Sequence, residues 1–209
     1  MKIIGFVGSP RKNGNTDVLV QQVLRGAANA GAGTEIFYLN DLNIKGCQDC
    51  NFCKENDHCG QQDDMMPIYT EIAAADAIVI GSPVYMSNVS SQTKAFMDRC
   101  YALINPDFSS RLAKGKKAVL IFSQGDPDPE HYQQTYASLA DFPKSIGIEL
   151  AETLIASGVR EVGAVTNDEE LMKNAFNIGE RMAKVLRMAK MMKTPDAVSG
   201  PSKMKRAKT

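Results

Sequence analysis

Four of the five cysteines fall within thirteen positions, as Cys47-x2-Cys50-x2-Cys53-x5-Cys59. Two-residue gaps let successive side chains of a wrapping loop point to one centre, as in the Cys-x2-Cys-x2-Cys run of cluster-binding ferredoxin loops. Four thiolates from one loop can hold a single four-iron cluster. A tetrahedral zinc site also uses four cysteines, but zinc sites usually bring two separated pairs, which suits this spacing less well. Reactive or regulatory thiols, or cysteines that remain after a metal has been lost, are the other readings of the run. His58 reads as an exposed loop histidine, and Cys100, in the helical pattern of Phe96, Met97 and Leu103, as an ordinary buried thiol.

The start of the chain concentrates a different chemistry. The apolar run Ile3-Ile4-Gly5-Phe6-Val7 breaks at Gly8 and passes through Ser9-Pro10-Arg11-Lys12-Asn13-Gly14-Asn15-Thr16 into helical spacing at Val18, Leu19, Gln22 and Val23. A strand, a polar loop and a helix start follow one another, with Thr16 and Asp17 expected as the helix cap and first turn. Such a loop aims backbone N–H groups, hydroxyls and the positive end of the helix dipole at one point, which suits a phosphate. Arg11 and Lys12 add cationic donors. The loop lacks the Gly-Lys-Ser/Thr ending of P-loop ATPases and the three glycines of dinucleotide loops. Its hydroxyls and amides suit a monoester phosphate, as in a mononucleotide such as FMN. The plainer alternative is a βα turn whose Ser, Asn and Thr residues only cap a helix.

Two further loops carry matching chemistry. In Ser82-Pro83-Val84-Tyr85-Met86-Ser87-Asn88-Val89-Ser90, the residues Pro83, Tyr85 and Met86 can wall a flat ring. Asn88 and the turn Ser123-Gln124-Gly125 offer donors and acceptors for the polar end of an isoalloxazine, and Gly125 lets backbone approach closely. A single aromatic residue would read as a loop tyrosine capping a sheet. The case rests on three loops converging.

Convergence requires a particular scaffold. Five apolar runs, Ile3–Val7, Thr34–Leu39, Ala77–Gly81, Lys117–Phe122 and Leu150–Ala156, alternate with helical patterns. Those patterns include Asp64–Ala75, the stretch through Lys94, Phe96 and Arg99, one opened by Asp128-Pro129-Glu130, and Glu169–Met192. The expected fold is α/β: a flavodoxin-like three-layer αβα sandwich with a five-stranded parallel sheet in the order 2-1-3-4-5. In that order the loops after strands one and three separate at the switch point, where ligands bind, and the loop after strand four lies beside them. One domain is expected over residues 1–193, with a cysteine-rich insertion at 46–60 and a flexible basic tail at 194–209.

Charges balance at 24 of each sign, so neither nucleic acid nor an anionic membrane surface is expected as a partner. No apolar run approaches membrane-spanning length, and the N-terminus passes straight into a strand. A cytoplasmic location is the expectation.

The segments Gly8–Thr16, Ser82–Val89 and Lys94-Ala-Phe-Met-Asp-Arg99 resemble the NAD(P)H-dependent FMN reductase superfamily of flavodoxin-like proteins. The intervening cysteine run resembles its iron–sulfur flavoprotein branch. The resemblance implies FMN phosphate binding by Ser9, Arg11, Asn13, Asn15 and Thr16, and isoalloxazine binding by Pro83, Val84, Tyr85, Met86 and Asn88. Ser123, Gln124 and Gly125 carry over from a loop that is glycine-richer in relatives. It also implies a [4Fe-4S] cluster on Cys47, Cys50, Cys53 and Cys59, with NAD(P)H as co-substrate. A homodimer or a tetramer of dimers follows from it, each cluster loop reaching a neighbour's flavin. The expected activity is electron transfer between a two-electron donor and one-electron carriers such as ferredoxin, the flavin doing the chemistry without a catalytic side chain. The alternatives are an NAD(P)H-dependent FMN or quinone reductase without a cluster, and a flavodoxin-like carrier or thiol redox sensor.

Overall fold

The strands owe their burial to alternation. In β1 (Lys2–Val7), Ile4 and Phe6 enter one buried cluster while Ile3 and Val7 enter another. In β3 (Ala77–Tyr85), Ile78 and Ile80 face the first cluster, and Ala77 and Val79 the second. β5 (Lys117–Ser123) repeats the division, with Leu120 and Phe122 against Val119 and Ile121. A sheet apolar on both faces needs helices on both, which is the doubly wound solution. The computed structural model describes residues 1–193; the tail expected at 194–209 lies outside the described residues.

The first cluster is closed by α3 (Met65–Ala74), α4 (Ser91–Arg99) and α5 (Gln133–Ser145), through Ile68, Ile72, Phe96 and Tyr136. α1 (Asn15–Asn29) and α6 (Glu169–Lys193) close the second through Val20, Val23, Ile178 and Met182. These two helices approach backbone to backbone. A Cβ on Gly179 would lie 1.8 Å from Val23 O, and one on Gly26 1.9 Å from Phe176 O.

With β2 (Gly33–Tyr38) and β6 (Glu149–Ala156), the parallel strands run β2-β1-β3-β5-β6. This is the expected flavodoxin-like order. The addition is β4 (Asn88–Val89), which turns back antiparallel on Val84 and Tyr85 of β3. The second loop is therefore shorter than expected, since β3 continues through Pro83 to Tyr85 and only Met86 and Ser87 form the bend. Both take positive φ, 48° and 63°, the requirement of a tight turn matched to strand twist.

α5 also begins later than the Asp128-Pro129-Glu130 signal suggests. Asp126 Oδ1 accepts from Asp128 N and Asp128 Oδ1 from Glu130 N, both at 2.9 Å, so these carboxylates close local turns in place of helix. The stretch between β2 and α3 holds a 3-10 turn at Leu39–Asp41 and one short α-helix, α2 (Phe52–Glu55). Among the described residues no helix is long and apolar enough to cross a membrane.

Candidate functional site

The first loop is shaped by buried hydrogen bonds. Gly8 N donates to Gly81 O at 2.8 Å, tying the end of β1 to β3. Ser90 caps α4 by accepting from Thr93 N, and its hydroxyl donates to Gly8 O at 2.7 Å. No side chain fits at Gly8, where a Cβ would lie 1.8 Å from Thr93 Oγ1. Buried Asp17 accepts from Asn13 N at 2.7 Å and from Gln21 Nε2 at 2.8 Å. The helix cap is Gly14, two residues earlier than the Thr16 expected from the sequence. Thr16 lies inside α1, with its hydroxyl 2.6 Å from Ser123 Oγ, so it joins the first loop to the third. The first turn of α1 leaves N–H groups without intrahelical acceptors at this end of the sheet.

Nine of the thirteen expected cofactor residues border one cavity of about 260 Å³. Ser9, Arg11, Asn15 and Thr16 come from the first loop, Pro83, Val84 and Tyr85 from β3, and Ser123 and Gly125 from the third loop. Gly14, Val159, Arg160 and Val162 complete the lining. The last three belong to the segment after β6, which the sequence reading missed. Its signal was available: β6 ends at the same carboxyl edge as β1, β3 and β5, where the crevice must lie.

Several polar groups hold the loops themselves. The Asn15 amide donates to Val159 O at 3.2 Å and Glu161 O at 2.8 Å, and accepts from Val165 N at 3.2 Å. It clips the segment after β6 against the first loop. Arg160 Nε donates to Gly125 O at 2.9 Å, which fastens the same segment to the third loop. Gln124 is buried, donates to Asp126 O at 3.1 Å and Asp128 O at 2.7 Å, and accepts from Tyr136 OH. Burial pushes the Tyr136 phenol up to about 12, so it stays a donor.

Gln124, Asn13, Met86 and Asn88 are the expected residues outside the cavity lining. Asn13 sits in the left-handed region at φ 59°, a position asparagine tolerates. Met86 is exposed at the hairpin bend, and Asn88 Oδ1 accepts from Val89 N at 2.8 Å. Lys12 pairs with Asp41 at 2.6 Å, leaving Arg11 as the cation of this loop that borders the cavity.

A larger groove of about 400 Å³ runs beside α4, lined by Met97, Tyr101, Ile104, Phe142 and Ile146. Asp49 and Asp98 also line it and no helix N-terminus does, so the smaller cavity is the better phosphate site.

The cysteine loop packs against the end of α4. Cys53 and Cys59 are buried, Cys47 and Cys50 exposed, and all carry free thiols. All four line one small pocket of about 20 Å³, together with Arg99 and Tyr101. That is room for about one water. Among the described residues no three His, Cys, Asp or Glu side chains stand within reach of a shared metal ion. Charges of both signs surround the loop, with Asp49 on the pocket wall beside Arg99. Arg99, 1% exposed, forms a two-pronged pair with Asp63 and donates from Nη2 to Cys59 Sγ at 3.5 Å. Burial works against the Arg99 charge, but the bonds to Asp63 outweigh it and raise its pKa.

Arg111 Nη2 donates to Cys53 O at 2.6 Å and Asn56 O at 3.1 Å, fixing the turn of α2. Lys54 Nζ reaches Tyr101 O at 3.0 Å and Ile104 O at 2.6 Å. Burial pushes the Cys53 thiol up, and the neighbouring Lys54 charge works the other way. His58 is exposed beside Asp57, and Cys100 is fully buried in the first core cluster, both as expected.

Residues 1–137 match the family model of NADPH-dependent FMN reductase. An iron–sulfur flavoprotein of Methanocaldococcus jannaschii is 33% identical over 193 residues, covering 91% of this chain and all of that protein. One from Methanosarcina thermophila is 37% identical over 142 residues, covering 68% of this chain and 72% of that protein. Among solved structures, an NAD(P)H:quinone oxidoreductase from Methanothermobacter marburgensis has a TM-score of 0.64 at 19% identity, covering 87% of this chain and 96% of its own. At that identity the likeness is one of fold.

Proposed function

Because the chain belongs to the NADPH-dependent FMN reductase family, in its iron–sulfur flavoprotein branch, we propose that this FMN-dependent oxidoreductase carries a second, cysteine-held redox centre. The observation that carries the reading is the gathering of Cys47, Cys50, Cys53 and Cys59 around one pocket bordered by the buried N–H donors of Arg99. Four thiols and buried N–H donors suit the chemistry of an anionic [4Fe-4S] cluster.

FMN accepts a hydride and releases electrons singly, so it can join a two-electron donor such as NAD(P)H to one-electron carriers such as ferredoxin. The chain's residues bind and orient it. Ser9, Arg11, Thr16 and the N-terminus of α1 hold the phosphate; Pro83, Val84 and Tyr85 form the wall against the ring; Ser123 and Gly125 meet its edge. Asn13, Asn15 and Gln124 act through the loops they brace, and Met86 and Asn88 shape the rim. Assembly as a homodimer or a dimer of dimers would bring one protomer's cysteine loop to its partner's flavin.

A second reading, an NAD(P)H-dependent reductase without a cluster, draws on the spacing of the thiols, no three of which stand within reach of a shared ion among the described residues. Anaerobic stopped-flow reduction separates the two. Rapid bleaching of the flavin by NADH or NADPH in iron-free protein supports the second reading. Slow bleaching by both nucleotides, with fast reduction by reduced ferredoxin, supports the first.

A further inference from the structure

Arg99 is the largest fully buried side chain in the protein, and its five N–H donors can be followed one by one. Nη1 donates to Asp63 Oδ2 at 2.5 Å and to Lys45 O at 2.9 Å. Nη2 donates to Asp63 Oδ1 at 3.0 Å and to Cys59 Sγ at 3.5 Å. Nε is buried and has no hydrogen-bond partner among the described residues. A buried donor left unmatched costs about 1–3 kcal/mol, and native structures keep few of them without a reason. This one belongs to a side chain that borders the pocket shared by the four cysteines.

A purely structural ion pair does not need this arrangement. Asp63 already satisfies two donors along one edge of the guanidinium, and Lys45 O satisfies a third donor. Evenly matched burial would leave nothing pointing at sulfur. Here one donor already meets a thiol and another waits unmatched, while Tyr69 OH donates to Arg99 O at 2.9 Å and holds the end of the helix in place. Asp63 in turn accepts from Lys45 N at 3.0 Å and Met65 N at 3.1 Å, so the pair is anchored on both flanks of the cysteine loop. The donor set is oriented before any ligand arrives.

We propose that Arg99 is a positioning and potential-setting residue of the cysteine-held centre: it donates N–H···S hydrogen bonds, from Nη2 to Cys59 and from Nε to a second sulfur of the cluster. The proposal rests on the cluster reading above. Hydrogen bonds to cluster sulfurs stabilise the more negative, reduced state and so raise the reduction potential. Asp63 fixes the direction of the fork. Because the pair is neutral as a whole, its effect comes from the short N–H···S geometry rather than from net charge.

The test uses anaerobically reconstituted full-length protein and the paired variant Arg99→Met with Asp63→Asn, which removes the donors without leaving a lone buried charge. Iron and sulfide are assayed, and the cluster midpoint is read by EPR-monitored titration. The expected result is a loaded variant whose reduced-to-oxidised ratio, at the wild-type midpoint, falls about tenfold, equivalent to about 59 mV for a one-electron couple. A loaded variant with a ratio within about twofold of wild type, below 18 mV on the same scale, overturns the role of Arg99 while leaving the cluster intact.

Wild-type protein that binds no iron and sulfide overturns both the cluster reading and this inference. If the paired variant does not fold, Arg99→Lys keeps the charge and removes the fork. The same tenfold fall is expected of it, and an unchanged potential overturns the proposal. Resonance Raman spectra of the loaded wild type in D2O give a second readout: iron–sulfur bands shift if N–H···S bonds are present, and an absence of shift counts against them.

Discussion

Replacing Asn15 by Ala tests how the cofactor cavity is built. Its amide makes three hydrogen bonds to the segment after β6, at 3.2, 2.8 and 3.2 Å. A typical intramolecular bond contributes about 0.5–1.5 kcal/mol net, and these are partly exposed, which places two of them near the lower bound. The third leaves the N–H of fully buried Val165 without its acceptor, a loss of about 1–3 kcal/mol. The sum is about 2–4 kcal/mol, acting mainly on the segment 159–165.

If that segment must be in place to receive the cofactor, affinity falls by about 30- to 700-fold, at about 1.4 kcal/mol per decade. The assay is titration of flavin-free protein with FMN and with riboflavin, followed by flavin fluorescence. A residue that touches the phosphate would weaken FMN and spare riboflavin. A residue that braces the wall weakens both equally, and that is the expected result. Loss confined to FMN would refute the bracing role, and unchanged affinity for both would remove the segment from the site.

Three further outcomes follow from the packing. Gly179→Ala forces a Cβ to within 1.8 Å of Val23 O, so overpacking of about 1–3 kcal/mol exceeds the roughly 0.5–1 kcal/mol of improved helix propensity; thermal melts should show a lower Tm, and a higher one would contradict the close approach of α1 and α6. Ser87→Gly relieves a left-handed residue at φ 63° while keeping the bond from Thr135 Oγ1 to its carbonyl, so urea unfolding should show a gain of about 0.5–1 kcal/mol; a loss would mean the Ser87 side chain carries structure.

Burial opposes the charge of Asp63, but hydrogen bonds from Arg99 hold its carboxyl below the usual carboxylate range. A depressed folded value stabilises above the unfolded pKa of about 3.9 and is lost as pH falls through the folded one. Urea midpoints should therefore fall below about pH 4 more steeply in wild type than in the paired Arg99→Met and Asp63→Asn variant. Equal slopes would contradict the ion pair.

The sheet was legible because its signal is local. Ile4 and Phe6 against Ile3 and Val7 give both faces of β1 from six consecutive residues, and the chain order then leaves few topologies. The first loop was legible as a phosphate-type loop, yet the division of labour inside it was not. Asn13, Asn15 and Gln124 carry the same groups whether they bind a ligand or brace a turn. Only distance decides, and Asn15 finds its partners 144 to 150 positions away. The pairing of Arg99 with Asp63 spans 36 positions, with α3, β3 and β4 between them, so no local pattern announces it. Hairpin extension of β3 escaped notice because Met86-Ser87 lacks the Asn-Gly or Asp-Gly signature of such turns.

The central claim is that one chain holds both a flavin and a cluster. An anaerobic absorbance spectrum of freshly purified protein, with iron, zinc, acid-labile sulfide and FMN assayed on the same sample, measures this. Flavin bands on a broad iron–sulfur shoulder, with about four irons and about four sulfides per chain, are the predicted result. Flavin bands without iron, from anaerobically grown cells and after reconstitution, would contradict the cysteine-held centre and leave a simple FMN reductase.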